Sequence, residues 1–380
     1  LLEPYVALYQ WEDVPGNGNN TPTQYWNGCY TAIAAANQAL EAIEKGNFDN
    51  SVLPYKGEAL IARAYSHFML VTFFAKAYVV GGQNDSPGIP YVNEPEKIAI
   101  KTYSRGTVQS VYDQIQKDLE DGIKLLNGGK WSVPKYHFTY SSANAFAARF
   151  YLFKGDWDKV ISHANEVFQN GDFTGNLRPE ATTLKDQASE IRQTEYTKAD
   201  KNYNLLLAHT YSIYQRQGTG YYSRFGLGRT TYLNLFGRNT VAGVPFRWNG
   251  SSYSSSNHYW TRKFNEYWYV TNPASNTGQP YIMVPLFTAD EALINRAEAY
   301  VRKKNFVQAL QDINQFASVR IENYNANNHR VTIDKAKAYF DLPSPDIKDA
   351  SYKTGLTEFS NLAKISKEEF SSIKGLFNSN

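Results

Sequence analysis

The stretch "YKGEALIARAYSHFMLVTFFAKAYVV", Tyr55–Val80, constrains the fold more than any other part of the chain. Its composition favours helix, and apolar residues fall on every side of that helix. A helix without a polar face must be surrounded by other elements or lie in lipid. Glu58, Arg63, His67 and Lys76 interrupt it, which rules out a simple span, and no transmembrane helix is expected. The remaining reading is a central helix buried among neighbours and running to Gly81 and Gly82. Glu58 and Arg63 are too far apart round the helix to pair well with each other. Charges this deep need partners, so both are expected to pair with neighbouring helices.

Further helices supply such neighbours. "TQYWNGCYTAIAAANQALEAIEKGNF" repeats Tyr30, Ile33, Ala34, Asn37, Leu40 and Ile43 at three- and four-residue steps and stops at Gly46. "GTVQSVYDQIQKDLEDGIKLL" spaces Val108, Val111, Ile115, Leu119, Ile123 and Leu126 along one face. "SSANAFAARFYLFKGDW" and "DKVISHANEVFQNGDF" are two helices joined by a Gly-Asp turn, and "TADEALINRAEAYVRKKNFVQALQDINQFASVRIE" is helical again.

Two of these helical pairs align without gaps. Ala148, Tyr151, Gly155, Trp157, Val160 and Ala164 correspond in order to Ala297, Tyr300, Lys304, Phe306, Ala309 and Ile313. A small residue, an aromatic, a turn and a second aromatic in this order follow the tetratricopeptide pattern. Small residues let the paired helices approach, and the aromatic after the turn fills the gap. "ANQALEAIEKGNF", with Ala39, Gly46 and Phe48, is a weaker third copy. Stacked hairpins bury helices on several sides.

A search for chemistry returns nothing catalytic. The formal net charge is +3 over 380 residues, which gives no footprint for nucleic acid or for an anionic membrane. One cysteine, Cys29, permits no internal disulfide and no cysteine metal cage. The histidines His67, His137, His163, His209, His258 and His329 form no HExxH and no metal-spaced pair. His67 and His163 lie on helices and read as packing or capping residues. "GGKW" at Gly128–Trp131 lacks phosphate-loop spacing, "GTGYYS" at Gly218–Ser223 is not a dinucleotide fingerprint, and no GxSxG occurs. Glu120 and Asp121 read as a solvated helical face. A glycosidase needs two carboxylates across one cleft, and the aromatic middle, where a cleft is expected, has almost none. No cofactor and no metal is expected.

That middle changes character. From Asn202 to about Pro285 the helical period fades. "YNLLLAHTYSIY" fits a strand or a buried helix, and the rest reads as loops with short extended pieces. From Tyr211 to Tyr269 there are sixteen aromatics, where composition predicts about nine. Arg216, Arg224, Arg229, Arg238, Arg247, Arg262 and Lys263 share the span with Glu266 alone. Aromatic planes among Asn, Ser and Arg suit a ligand with flat apolar faces and a hydroxylated rim, such as a sugar, or an exposed base. The tail from Asn323 reads as polar and irregular.

"YKGEALIARAYSHFMLVTFFAKAY", followed by Gly88-Ile89-Pro90, resembles the SusD/RagB family of Bacteroidetes glycan-binding lipoproteins. The resemblance extends to Trp26, Tyr30, Ile33 and Asn37 in "YWNGCYTAIAAANQAL", to "VYDQIQKDLEDGIKLL", and to both helical pairs. It covers most of the chain outside the middle. No segment after Lys364 matches the family's Glu-Arg-rich helix. The resemblance implies a mainly α fold: a body of tetratricopeptide-like helical hairpins, capped by an irregular loop-rich segment with a few short strands. It implies one SusD-like domain over 1–380, with the helical body at 24–175 and 286–322. The loop-rich cap and candidate glycan-binding segment then occupies 176–285, with an irregular C-terminal segment at 323–380.

The resemblance also implies a non-enzymatic role. Such proteins sit on the extracellular face of the outer membrane through an N-terminal lipidated cysteine. They pass oligosaccharides to a SusC-like TonB-dependent transporter. Cys29 lies inside a predicted helix and is not the lipid site. The family's glycan surface is built from variable loops, so the candidate residues come from this sequence alone. They are Trp248, Tyr253 and Tyr259 as stacking rings, Trp11 as an opposite rim, and Arg247 and Asn249 as partners for hydroxyls. The local basic excess suits an acidic or sulfated glycan, or an acidic patch on the transporter. The alternative is a tetratricopeptide scaffold that binds a protein or peptide in its groove.

Overall fold

The Thr21 hydroxyl accepts a hydrogen bond from the Gln24 N–H, and Pro22 occupies the first turn, so the first long helix starts there. The computed structural model describes residues 3–19, 21–98, 101–213, 215, 227–247, 252–255, 258–261 and 266–341. Of 3–5, 189, 227, 252–255, 258–261 and 341 it describes the backbone alone. Helix α1 (Glu3–Gln10), which sequence periodicity does not announce, precedes α2 (Pro22–Lys45) and α3 (Leu53–Phe74). Then come α4 (Val108–Leu125), α5 (Tyr140–Lys154), α6 (Trp157–Glu166) and α7 (Ser189–Tyr196). After α8 (Arg229–Phe236) the helices are α9 (Ala289–Arg302), α10 (Phe306–Arg320), α11 (Ala326–His329) and α12 (Ile333–Asp341). Among the described residues, those up to Val331 form one compact unit and those from Thr332 belong to a second. Among the described residues no helix is long and apolar enough to cross a membrane.

Helix α3 is the centre of the core, packed on α2 and α4. Ile61, Ala64, Phe68, Leu70 and Val71 are buried with Val111, Ile115 and Leu119 of α4 and Phe146 and Phe150 of α5. The backbones of α3 and α4 approach so closely that a Cβ at Gly57 would meet the Gly122 carbonyl oxygen at 2.6 Å. The Arg63 guanidinium pairs with Asp118 of α4, as the sequence requires of a buried charge. Glu58 instead accepts from the Trp131 indole N–H at 2.8 Å and the Phe138 N–H at 3.2 Å, and bonds the His137 imidazole at 2.8 Å, all outside helices α4 and α5.

The helix ends at Phe74, six residues before the expected stop. The Arg105 guanidinium takes the Phe74 carbonyl at 3.0 Å, and Ala75 turns to extended backbone. The apolar run continues because Tyr78 packs against Tyr112 of α4, with ring centroids 4.5 Å apart.

The two aligned hairpins share their turn geometry. Gly155 has φ 75° and Lys304 has φ 61° at the equivalent position. In the first, Gly155 N–H donates to Leu152 and Asp156 N–H to Tyr151; in the second, Lys304 N–H donates to Val301 and Asn305 N–H to Tyr300. This closure satisfies carbonyls at the helix end. Ala148, Val160 and Ala164, like Ala297 and Ala309, are buried. Phe306 differs from Trp157: it is exposed.

The middle holds more regular structure than the sequence suggests. "YNLLLAHTYSIY" contains strand β1 (Asn204–Tyr211). Strands β2 (Leu227–Gly228), β3 (Ser252–Ser255) and β4 (His258–Thr261) form one small antiparallel sheet. Strands β5 (Glu266–Asn272) and β6 (Thr277–Thr288) join β1 in a second sheet of order β1-β6-β5. The segment after Asn323 is not irregular at its start, since α11 and α12 lie there and the Thr332 hydroxyl caps α12 by accepting from Lys335 N–H.

Candidate functional site

Strand pairing brings the aromatics of the middle together. Tyr281 on β6 lies opposite Tyr211 on β1 and opposite Tyr267 on β5, giving a row of three tyrosines across the sheet. Side chains alternate along a strand, so His209 and Tyr269, two positions away, share that face. The rings touch: His209 to Tyr281 at 4.4 Å, His209 to Tyr267 at 5.5 Å and nearly parallel, Tyr269 to Tyr281 at 5.2 Å, and Tyr211 to Tyr281 at 6.3 Å and perpendicular. The Tyr267 hydroxyl bonds the His209 ring nitrogen Nε2. Tyr267 and Tyr269 remain 40% and 46% exposed, so the face presents rings to solvent.

Tyr211 carries this face into a cavity of about 690 Å³. Leu8 of α1, Tyr25 of α2, and Phe73 and Phe74 at the end of α3 form its apolar wall. Tyr25 meets Phe73 edge-on at 5.4 Å. Thr21, Gln24 and Thr210 supply hydrogen-bonding groups, and no charged side chain lines it among the described residues. Cys29 lies one turn beyond Tyr25, and burial pushes its thiol pKa up, which keeps it protonated. Aromatic planes with a few uncharged polar groups beside them are able to stack on a flat, hydroxylated ligand.

Of the residues chosen from the sequence, the side chains of Trp11 and Arg247 are described. Trp248 and Asn249 lie outside the described residues, as do the side chains of Tyr253 and Tyr259. The backbone pairs Tyr253 with Trp260 and Tyr259 with Ser254, so positions 253 and 259 belong to opposite faces of the β3–β4 ribbon. Trp11 is 96% exposed and held at φ 59° just past α1, three residues after Leu8 of the cavity wall. Arg247 is engaged: its guanidinium pairs with Glu322 at 2.9 Å and its N–H donates to the Arg320 carbonyl at 2.6 Å.

The sequence reading missed His209, Tyr267, Tyr269 and Tyr281 as a group, and missed Tyr25, Phe73 and Phe74. The period-two aromatics of "EYWYV" carry the signal for the sheet face.

The histidines on helices are structural. His67 is fully buried, stacks on Tyr91 at 3.8 Å, and its Nε2 accepts from the Val92 N–H at 3.0 Å. Its Nδ1 therefore donates to the Arg63 carbonyl at 2.9 Å. Burial lowers its pKa to about 3. His163 bonds the Asn144 side chain and is lowered to about 4, again mainly by burial. Glu120 is not a solvated acid: it accepts from the Tyr151 hydroxyl and from Lys159. Among the described residues no three His, Cys, Asp or Glu side chains are grouped to hold a metal ion.

Residues 5–152 match a SusD-like family whose description reads "starch-binding associating with outer membrane". No curated protein matches the sequence. Among solved structures, a SusD superfamily protein from Bacteroides thetaiotaomicron superposes with TM-score 0.57 at 18% identity, over 85% of this chain and 75% of that one. A SusD-like carbohydrate binding protein from Bacteroides vulgatus gives TM-score 0.58 at 16% identity, over 89% and 68%. A SusD superfamily protein from Bacteroides fragilis gives 0.52 at 20% identity, over 82% and 67%. At these identities the likeness is one of fold.

Proposed function

From a chain that is SusD-like, in family over residues 5–152 and in fold over most of its length, we propose a glycan-binding protein of the cell surface. It captures oligosaccharides on the outer membrane and passes them to a SusC-like TonB-dependent transporter, without cleaving them. Attachment to the membrane through a lipid anchor belongs to the same proposal.

The observation that carries the reading is the aromatic sheet face of Tyr269, Tyr281 and Tyr211, whose Tyr211 lines the same cavity as Tyr25 and Phe73. Sugar rings present apolar C–H faces that stack on such planes, while their hydroxyls reach polar groups at the edge. No lysine or arginine lines the cavity among the described residues, while Arg216, Arg224, Arg262 and Lys263 of the same segment lie outside them, so the glycan panel spans neutral and acidic sugars.

Isothermal titration of the intact chain against neutral and sulfated oligosaccharides tests this. Saturable binding that a Tyr267→Ala/Tyr281→Ala variant weakens supports the site. Unchanged affinity in that variant removes the site, and no binding across the panel removes the function. Co-purification with the transporter from membranes tests the partner.

A further inference from the structure

The short 3-10 turn Pro134–Tyr136 packs against β1 of the aromatic sheet. Tyr136 projects from it, 46% exposed. Burial raises the pKa of the Tyr267 hydroxyl, and the Tyr136 phenol raises it further, so the two rings stand within electrostatic reach of each other.

Beyond Tyr136 lies a second set of rings. His137 stacks on Trp131 with centroids 6.0 Å apart, and Trp131 meets Tyr55 edge-on at 6.1 Å. Tyr55 is 42% exposed, and Trp131 and His137 are half-buried. Polar bonds fix all three. One oxygen of Glu58 accepts the Trp131 indole N–H and the other bonds His137 Nδ1, both at 2.8 Å. The Tyr55 hydroxyl donates to the Lys130 carbonyl at 3.0 Å. Rings held in place before a ligand arrives lose little freedom when it binds. Residues 127–138 carry two cations, Lys130 and Lys135, and no carboxylate. The Glu58 carboxylate is occupied by three donors, the Phe138 N–H being the third.

Contiguous exposed rings mark a binding surface, and sugar faces stack on such planes. Tyr136 and Trp131 are five residues apart, at most about 18 Å along the chain, a distance that several sugar units bridge. Resting on the glycan reading above, we infer that the site continues from the sheet face over Tyr136 onto His137, Trp131 and Tyr55, and that its ligand is an extended oligosaccharide rather than a mono- or disaccharide.

The test is isothermal titration of the intact chain with paired disaccharides and hexasaccharides of the starch, cellulose, xylan and galacturonan series. In a series that binds, the hexasaccharide is expected to bind about tenfold or more tightly than the disaccharide. Tyr136→Ala and Tyr55→Ala, both changes of exposed rings, are each expected to lower that ratio about threefold or more. A variant that had only lost stability would weaken both lengths alike and keep the ratio. Phe306→Ala removes an exposed ring from α10 and should leave the ratio as it is. Equal affinity for both lengths overturns the extended site, and so does a ratio that survives both tyrosine changes; in either case the sheet-face site stands. No saturable binding of any hexasaccharide overturns the glycan reading, and the extension with it.

Discussion

Arg63 of α3 and Asp118 of α4 form a two-pronged ion pair, with Nε and Nη2 each 2.7 Å from a carboxylate oxygen. Both side chains are less than a tenth exposed. Nη1 is shared between the Asn37 side chain and the Asn93 carbonyl. The same design recurs in the other half of the body. Arg296 of α9 forks onto Asp312 of α10 at 2.9 and 2.7 Å, and its Nη1 is shared between Asn165 and the Gly171 carbonyl. Each arginine ties its own helix to two others and to a connecting segment, which is how an almost wholly apolar α3 accommodates a charge.

Removing one partner strands the other in a dry interior. Asp118→Ala is expected to cost about 3–5 kcal/mol, read from urea unfolding. Arg63→Met/Asp118→Leu replaces the pair by apolar volume and should cost less than the sum of the single changes. Strict additivity would show that the pair is not coupled.

His67 predicts acid sensitivity. Its folded pKa of about 3 lies below the ordinary 6.5, so between those values the unfolded chain holds a proton that the native imidazole refuses. Stability is therefore full above pH 6.5 and falls as pH drops, by up to about 1.4 kcal/mol per pH unit for this proton. His163, lowered to about 4, acts in the same direction. Urea midpoints at pH 7, 5.5 and 4.5 should fall more steeply in the wild type than in His67→Gln. Equal slopes would remove His67 as the source.

Lys304 occupies the left-handed turn that Gly155 occupies in the first hairpin. A side chain there costs roughly 1–2 kcal/mol, and the extra freedom of an unfolded glycine offsets about half of that. Lys304→Gly is expected to raise stability by about 0.5–1 kcal/mol. Gly155→Ala is expected to lower it by more than about 1 kcal/mol, because its Cβ would also come within 2.5 Å of Val80. A thermal melt of each variant decides the matter, and a destabilised Lys304→Gly would contradict the shared turn geometry.

What the sequence exposes follows from how local each cause is. The hairpin turns were legible because Ala148, Gly155 and Trp157 act over a few residues. The end of α3 was not, since the group that takes the Phe74 carbonyl is Arg105, 31 positions on. "YNLLLAHTYSIY" stayed ambiguous because Leu205, Leu206 and Leu207 are all buried, which suits either a strand or a helix. The excess of aromatics in the middle was visible, but which rings share a face depends on pairing β1 with β6, roughly seventy residues apart. Arg247 was chosen for its hydroxyl-bonding chemistry, and its partner Glu322 is equally distant in sequence.

That dependence on register gives the sharpest test of the aromatic face. Tyr267 and Trp268 are neighbours on β5, and both are exposed, at 40% and 51%. Tyr267 pairs across to Tyr281, whereas Trp268 pairs across to Pro280 and belongs to the other face. A choice based on residue type alone would favour the tryptophan, with its larger stacking surface. The sheet favours the tyrosine. With any oligosaccharide that binds the intact chain, Tyr267→Ala should weaken affinity about tenfold, or about 1.4 kcal/mol, and Trp268→Ala by less than about twofold. Tyr267→Ala also loses the bond and the stacking with His209, so urea unfolding of both variants, measured beside binding, separates a lost glycan contact from lost stability. The reverse order of effects would move the glycan to the opposite face of the sheet and away from the cavity that Tyr211 shares with Tyr25.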